Sequence, residues 1–199
     1  GANPSRLPLS IGDPCLISGA RSVCSMFEVF GLYLQAGRID VGFLEGAQID
    51  RYGNINSTVI GNYQTPKVRL PGSGGACEIA SLAKRILMIT THEKRKFPER
   101  ADFVTSPGFL RGRKERACLK LEGGGPEAVI TDLGVMKFDE ETGEMILTSV
   151  HRGVKVEEIQ QNTGWDLKIS KDLKTTEEPS KEDLPILRQL DPQRIYLGK

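Results

Sequence analysis

Residues Gly46 to Ile79 read GAQIDRYGNINSTVIGNYQTPKVRLPGSGGACEI. An apolar run, Val41 to Leu44, stops just before this stretch, at Gly46. Two turn-forming clusters follow, DRYGN at 50–54 and GNY at 61–63, and the segment closes on the glycine loop Pro71-Gly72-Ser73-Gly74-Gly75-Ala76. A helix-like run opens directly behind that loop. Buried strands that end in polar, glycine-rich turns are how α/β enzymes build sites at the carboxyl ends of their sheets. The chemistry of this chain is therefore expected here.

Working outward, Arg85 to Thr91 (RILMITT) is the clearest strand, β-branched and apolar. Ile39 to Leu44 reads as a short buried strand, with Thr58–Ile60 and Lys67–Leu70 as shorter ones. Ala128–Thr131, Gly134–Asp139 and Glu144–Val150 read as successive strands, and DEETG at 139–143 signals a hairpin between the last two. Phe103 to Thr105 is a further expected strand. A helix is predicted from Ser25 to Gln35, with Ser25 as N-cap, Glu28 in capping-box position and Gly37 as C-cap. Its residues are apolar around much of the girth, so burial is expected. Glu78–Lys84, Val156–Asn162 and Leu184–Leu190 are predicted helices, the last behind a polar, charged link at 175–183. Strands alternating with helices predict an α/β fold, a mostly parallel open sheet with helices on both faces and an antiparallel hairpin addition. Residues 1–199 read as a single domain, with 175–199 as polar link and C-terminal helix.

Charge nearly cancels, with 27 basic and 26 acidic residues, and no basic stripe is interleaved with aromatics; nucleic acid is an unexpected partner. No apolar run approaches the roughly 18 residues of a membrane span, and no signal sequence opens the chain. Cys15, Cys24, Cys77 and Cys118 show neither CxxC spacing nor a nearby His pair, so no metal is expected. Scattered thiols point to a reducing compartment, and the cytoplasm is the expected location.

Read alone, Gly72-Ser73-Gly74-Gly75 is either a tight strand-to-helix turn or a cradle whose amides hold an oxyanion. No Gly-Lys-Ser/Thr follows it and it is not GxGxxG, which excludes the usual nucleotide loops. Gln48, Asn54 and Asn56 place amides around the turns, where they either orient a ligand carbonyl or simply form the turn. His92 ends the strongest strand without a nucleophile elbow and reads as a polar strand end. Lys94-Arg95-Lys96 is either solvated surface or a contact for phosphates or a second carboxylate.

GAQID at 46–50, YGNINST at 52–58, GSGGA at 72–76, HEKR at 92–95, VTSPG at 104–108, TDLGV at 131–135, TGWDL at 163–167 and LDP at 190–192 occur in order. Together they resemble the beta subunit of class I CoA-transferases, of the glutaconate CoA-transferase type. The resemblance implies the CoA-transferase superfamily fold, coenzyme A as substrate and a homologous alpha subunit as partner. The implied reaction moves CoA between a short-chain or dicarboxylic acyl-CoA and a carboxylate, through a glutamyl-CoA intermediate. It also implies Gly74 and Gly75 as oxyanion amides, and Gly72, Ser73, Gln48, Asn54 and Asn56 as substrate-binding positions. The family's nucleophilic glutamate precedes the matched segment. Its strand–helix–strand portion is thus expected to be supplied by another piece or removed; Glu45 is not its counterpart, and Glu28 is explained by capping. The runner-up reaction is CoA-ester hydrolysis, decarboxylation or C–C cleavage, and a subunit that only completes its partner's site is a third reading.

Overall fold

Arg85–Ile89 forms a strand, as its β-branched, apolar composition requires, and it sits inside the principal sheet of the computed structural model, which describes residues 3–10 and 12–196. That sheet has six strands: β1 (Val41–Leu44), β6 (Arg85–Ile89), β7 (Pro126–Ile130), β8 (Gly134–Phe138), β9 (Met145–Val150) and β10 (Lys168–Thr175), in that spatial order. β1/β6, β6/β7 and β9/β10 pair parallel, whereas β7/β8 and β8/β9 pair antiparallel. The sheet is mixed and mostly parallel, with the expected antiparallel addition where Asp139 caps its own turn. The Asp139 carboxylate accepts from the amides of Glu141 and Thr142, and Gly143 supplies the positive φ of 77°. Two small hairpins fill the excursion between β1 and β6. They are β2 (Gln48–Ile49) with β3 (Ile55–Asn56), and β4 (Val59–Gly61) with β5 (Pro66–Arg69), both antiparallel.

The helices are short: α1 (Met26–Glu28), α2 (Ala76–Leu82), α3 (Arg113–Cys118), α4 (Val156–Gln161) and α5 (Asp183–Leu190). The chain divides into two compact units, residues 30–176 and residues 1–29 with 177–199. In the larger unit Ile86 and Met88 of β6, Val129 of β7, Met136 of β8, Leu147 of β9 and Ile159 of α4 form the buried core. In the smaller unit the Asp13 carboxylate takes both nitrogens of the Arg6 fork at 2.7 and 2.9 Å, plus the amides of Leu9 and Cys15. These partners, led by Arg6, hold the Asp13 carboxyl well below the usual carboxylate range. Asp191 accepts from the amides of Ile195 and Tyr196, and the Tyr196 hydroxyl donates to the Pro8 carbonyl.

Four expectations are corrected. Ser25 and Glu28 do form a reciprocal capping box, but the α-turn lasts only to Glu28 and Val29–Leu34 widens to a π-helix. The apolar girth is not covered: Met26 is 79% and Phe27 84% exposed, and of Val29–Leu34 only Leu34 is buried. β1 is an edge strand rather than a buried one, with Phe43 64% exposed. Phe103–Thr105 forms no strand; Ser106 makes a single bridge to Ile55 instead. Lys168–Thr175, which alternates poorly and carries three lysines, is a strand nonetheless, because it needs only one neighbour and its charges suit an edge.

Candidate active-site loop

Helix α2 runs back along β1. Its residue Ile79 lies against Gly42, where a Cβ would come within 2.5 Å of Ile79 Cγ2, and the amide of Lys84, just past the helix, donates to Ile39 ahead of the strand. The N-terminal end of α2, and with it Gly72–Gly75, therefore stands at the carboxyl end of β1, the end at which α/β sheets place ligands.

The glycine loop is fastened at both flanks. Gly72 N–H donates to Ser57 O at 2.8 Å, and Ser57 Oγ returns a bond to Gly72 O at 2.9 Å. Ser73 Oγ accepts the Cys77 amide at 3.1 Å, and Ser73 O accepts the Ala76 amide. Gly72 (φ 96°) and Gly74 (φ 51°) take the left-handed backbone that only glycine adopts without strain. A Cβ on Gly74 would meet nothing within 4 Å, whereas one on Gly75 would press to 2.2 Å from the Phe30 ring. Among the described residues no acceptor takes the N–H of Gly74 or of Gly75. Two adjacent unspent amides on an anchored, side-chain-free loop are what a developing oxyanion requires.

The three predicted amide side chains are all buried, and they spend their polar groups inside the chain. Asn56 Nδ2 donates to Gln48 Oε1 (2.7 Å) and Val59 O (2.6 Å), while its Oδ1 accepts the amides of Thr58 and Val59. Gln48 also holds both the amide and the carboxylate of Asp102. Asn54 grips both oxygens of Asp50, the amides of Gly108 and Leu110, and the Leu110 carbonyl. The structure thus brings Gln48 and Asn56 together beside Ser57 and the glycine loop, and sets Asn54 in a separate turn. Burial pushes the Asp50 carboxyl above its ordinary value, against the hydrogen bonds of Asn54 and three backbone amides.

His92 is buried, stacked 4.4 Å from Phe97, with Nδ1 on Thr131 Oγ1 (3.2 Å) and Nε2 on Thr163 Oγ1 (3.0 Å). It is a packing group, and its burial lowers its pKa to about 4, with Asp132 opposing. A folded value below the ordinary 6.5 favours the neutral ring. The associated stability is present above pH 6.5 and is lost as pH falls from there toward 4, about 3 kcal/mol in all. Urea unfolding between pH 7 and 4 should show that loss, and His92→Gln should flatten it; an unchanged slope in the variant would refute the assignment.

Of the basic run, Lys94 is exposed and Arg95 pairs with Glu93. Lys96 turns inward to Thr90 Oγ1 (2.7 Å) and Glu45 Oε1 (3.1 Å), which makes Glu45 an ion-pair partner at the strand end. Two contributors had no assigned role in the sequence: Thr105, whose hydroxyl accepts the Ser57 amide at 2.9 Å, and the buried Arg116. The TSPG motif marked the first as part of a turn; nothing in the pattern marked the second. A cavity of about 740 Å³ opens between Arg51, Tyr52, Arg100, Leu110, Arg111 and Glu115, and takes in no residue of the glycine loop.

A mixed, mostly parallel α/β sheet with an anchored oxyanion-type loop at its carboxyl end is the scaffold of an acyl-group enzyme. Residues 10–162 match the Coenzyme A transferase family, and the chain belongs to it. It is 49% identical over 191 residues to the beta subunit of 3-oxoadipate CoA-transferase from Pseudomonas knackmussii, covering 96% of this chain and 74% of that one. It is 40% identical to the beta subunit of glutaconate CoA-transferase from Acidaminococcus fermentans, covering 98% of this chain and 75% of the relative. The crystal structure of glutaconate coenzyme A-transferase from the same organism superposes with a TM-score of 0.88 at 36% identity, covering 100% of this chain and 78% of that one.

Proposed function

We propose that this chain is the beta subunit of a heteromeric CoA-transferase that moves CoA between an acyl-CoA and a carboxylate. The observation that carries the proposal is the fastened GSGGA loop with two unspent amides, in a member of the Coenzyme A transferase family. Gly74 and Gly75 donate to the thioester oxygen as it becomes an oxyanion. Gln48, Asn54, Asn56, Gly72 and Ser73 shape the site by holding the loop and its supporting turns.

The reaction needs a carboxylate that is first nucleophile and then leaving group. A glutamate attacks the thioester carbonyl, the C–S bond breaks and CoA thiolate leaves a mixed anhydride. The thiolate then attacks the glutamyl carbonyl and expels the first acid, and the acceptor acid runs the same steps in reverse. The resemblance assigns that glutamate to no residue of 1–199. The glycine loop lies outside the cavity described above, which supports completion of the site by a homologous alpha subunit. The exposed Met26, Phe27, Leu32 and Phe43 support the same conclusion, since large uncovered apolar residues mark contact surfaces. Relatives named for 3-oxoadipate and glutaconate, both dicarboxylates, favour a dicarboxylic acyl group. Residues 1–199 belong to one beta-subunit domain in this reading. Four free cysteines suit the cytoplasm, and among the described residues no helix is long and apolar enough to cross a membrane.

The purified complex should show ping-pong kinetics, and borohydride should inactivate it only when acyl-CoA is present. Strictly sequential kinetics with no covalent adduct would refute the glutamyl route. Release of free CoA without an acceptor acid would turn the assignment to hydrolysis.

A further inference from the structure

We propose that Arg116 is a positioning residue for the acyl-transfer site: its guanidinium locks helix α2 along its axis and so sets where the Gly74 and Gly75 amides stand. The inference rests on the oxyanion role of that loop.

Arg116 is 5% exposed. Its Nη1 donates to the carbonyls of Pro107 (3.2 Å) and Gly108 (2.9 Å), and its Nη2 to those of Ala80 (3.0 Å) and Gly123 (2.9 Å). All four acceptors are neutral, and among the described residues no carboxylate pairs with it. Burying a cation on carbonyls alone is costly, so the arrangement calls for a role that an apolar side chain would not fill. A planar fork with donors on two sides joins two pairs of carbonyls at once; an ammonium does not.

The Ala80 carbonyl is one of the last four of α2, which lack partners inside the helix. Its neighbours are also taken, Ile79 O by the Ala83 amide and Ser81 O by the Gly123 amide, so the C-terminal end of the helix is moored. Ala80 follows Gly75 by five residues, about 7.5 Å along the axis. So short a helix passes any axial shift directly to the loop.

At the other end the loop hangs on Ser57, whose amide donates to Thr105 Oγ1. Thr105 and the Pro107–Gly108 carbonyls belong to one turn, itself held by Asn54 through the Gly108 amide. That turn therefore grips the glycine loop through Thr105 and the helix behind it through Arg116. The two attachments form a closed frame, and Arg116 is the member that spans to the helix.

In the assembled enzyme, Arg116→Lys should lower kcat about 10-fold and Arg116→Met about 10²-fold, because small misplacements of catalytic groups cost that much. KM for acyl-CoA should stay within about two-fold, and millimolar methylguanidine should restore part of the kcat of Arg116→Ala. Arg95→Gln, at an exposed residue paired with Glu93, is the control and should keep wild-type kcat. An Arg116→Lys enzyme with kcat per folded site within two-fold of wild type would overturn the inference, as would activity lost only in proportion to folded complex. If the wild-type complex moves no CoA, the transferase reading fails and this falls with it. If the wild type transfers CoA and Gly74→Val does not, an unaffected Arg116→Lys refutes the positioning role alone.

Discussion

Gly74→Val should lower kcat by about 10²–10³-fold, the loss seen when one oxyanion donor is removed, while the protein stays folded. The Cβ of a residue at 74 enters open space, so its folding cost is confined to the backbone. Holding a non-glycine residue at φ 51° costs about 1–2 kcal/mol, and valine resists that conformation more than most. The loop relieves the strain by turning the peptide, and the amide then leaves the oxyanion. Asparagine tolerates the left-handed region, so Gly74→Asn should retain much of the wild-type kcat. The measurement is kcat for CoA transfer beside a thermal melt of each complex. Equal activity of the valine and wild-type enzymes would show that the loop is only a turn. At position 75 the obstacle differs, since the clash is with the end of the Phe30 side chain, which is free to rotate. Gly75→Ala should therefore cost less than Gly74→Val.

Asn54→Ala should destabilise the larger unit by about 4 kcal/mol, measured by denaturant unfolding, a loss typical of breaking a buried polar network. The side chain makes five hydrogen bonds, and its removal leaves the buried Asp50 carboxylate with backbone donors only. The Leu110 amide and carbonyl also lose their partner, although Leu110 sits at φ 62°, a strained conformation for leucine that only surrounding bonds maintain. Asn54→Asp should fare no better, because it replaces the donor with a second acid beside Asp50. A loss under about 1 kcal/mol in the alanine variant would mean that the turn holds itself. Gly108 shares the dependence, for a Cβ there would lie 2.3 Å from the backbone of Gly53, and backbone does not yield as a ring does.

The elements that read correctly are those governed by neighbours in the chain. Ser25 with Glu28, Asp139 with Gly143, and the apolar β-branched run at 85–89 each contain both halves of the interaction that forms them. β10 was invisible because its strand state comes from β9 across the sheet and not from its own alternation. Phe103–Thr105 misled for the converse reason: the residues suit a strand, but Thr105 and Ser106 are engaged by Ser57 and Ile55. The helix at 26–34 is apolar as read, and composition reports a need for cover without saying what supplies it.

The candidate site divides along the same line. The glycine loop, the order of the motifs and hence the family were determined by the sequence alone, since a missing Cβ and a positive φ are properties of single residues. Only the tertiary structure decided that Gln48, Asn54 and Asn56 face inward, that His92 packs on Phe97, and that Arg116 joins Ala80 to Pro107 and Gly108. Hydrogen-bond partners 36 or 54 positions apart carry no local signature, and whether a polar group is spent or free depends on what the fold brings against it.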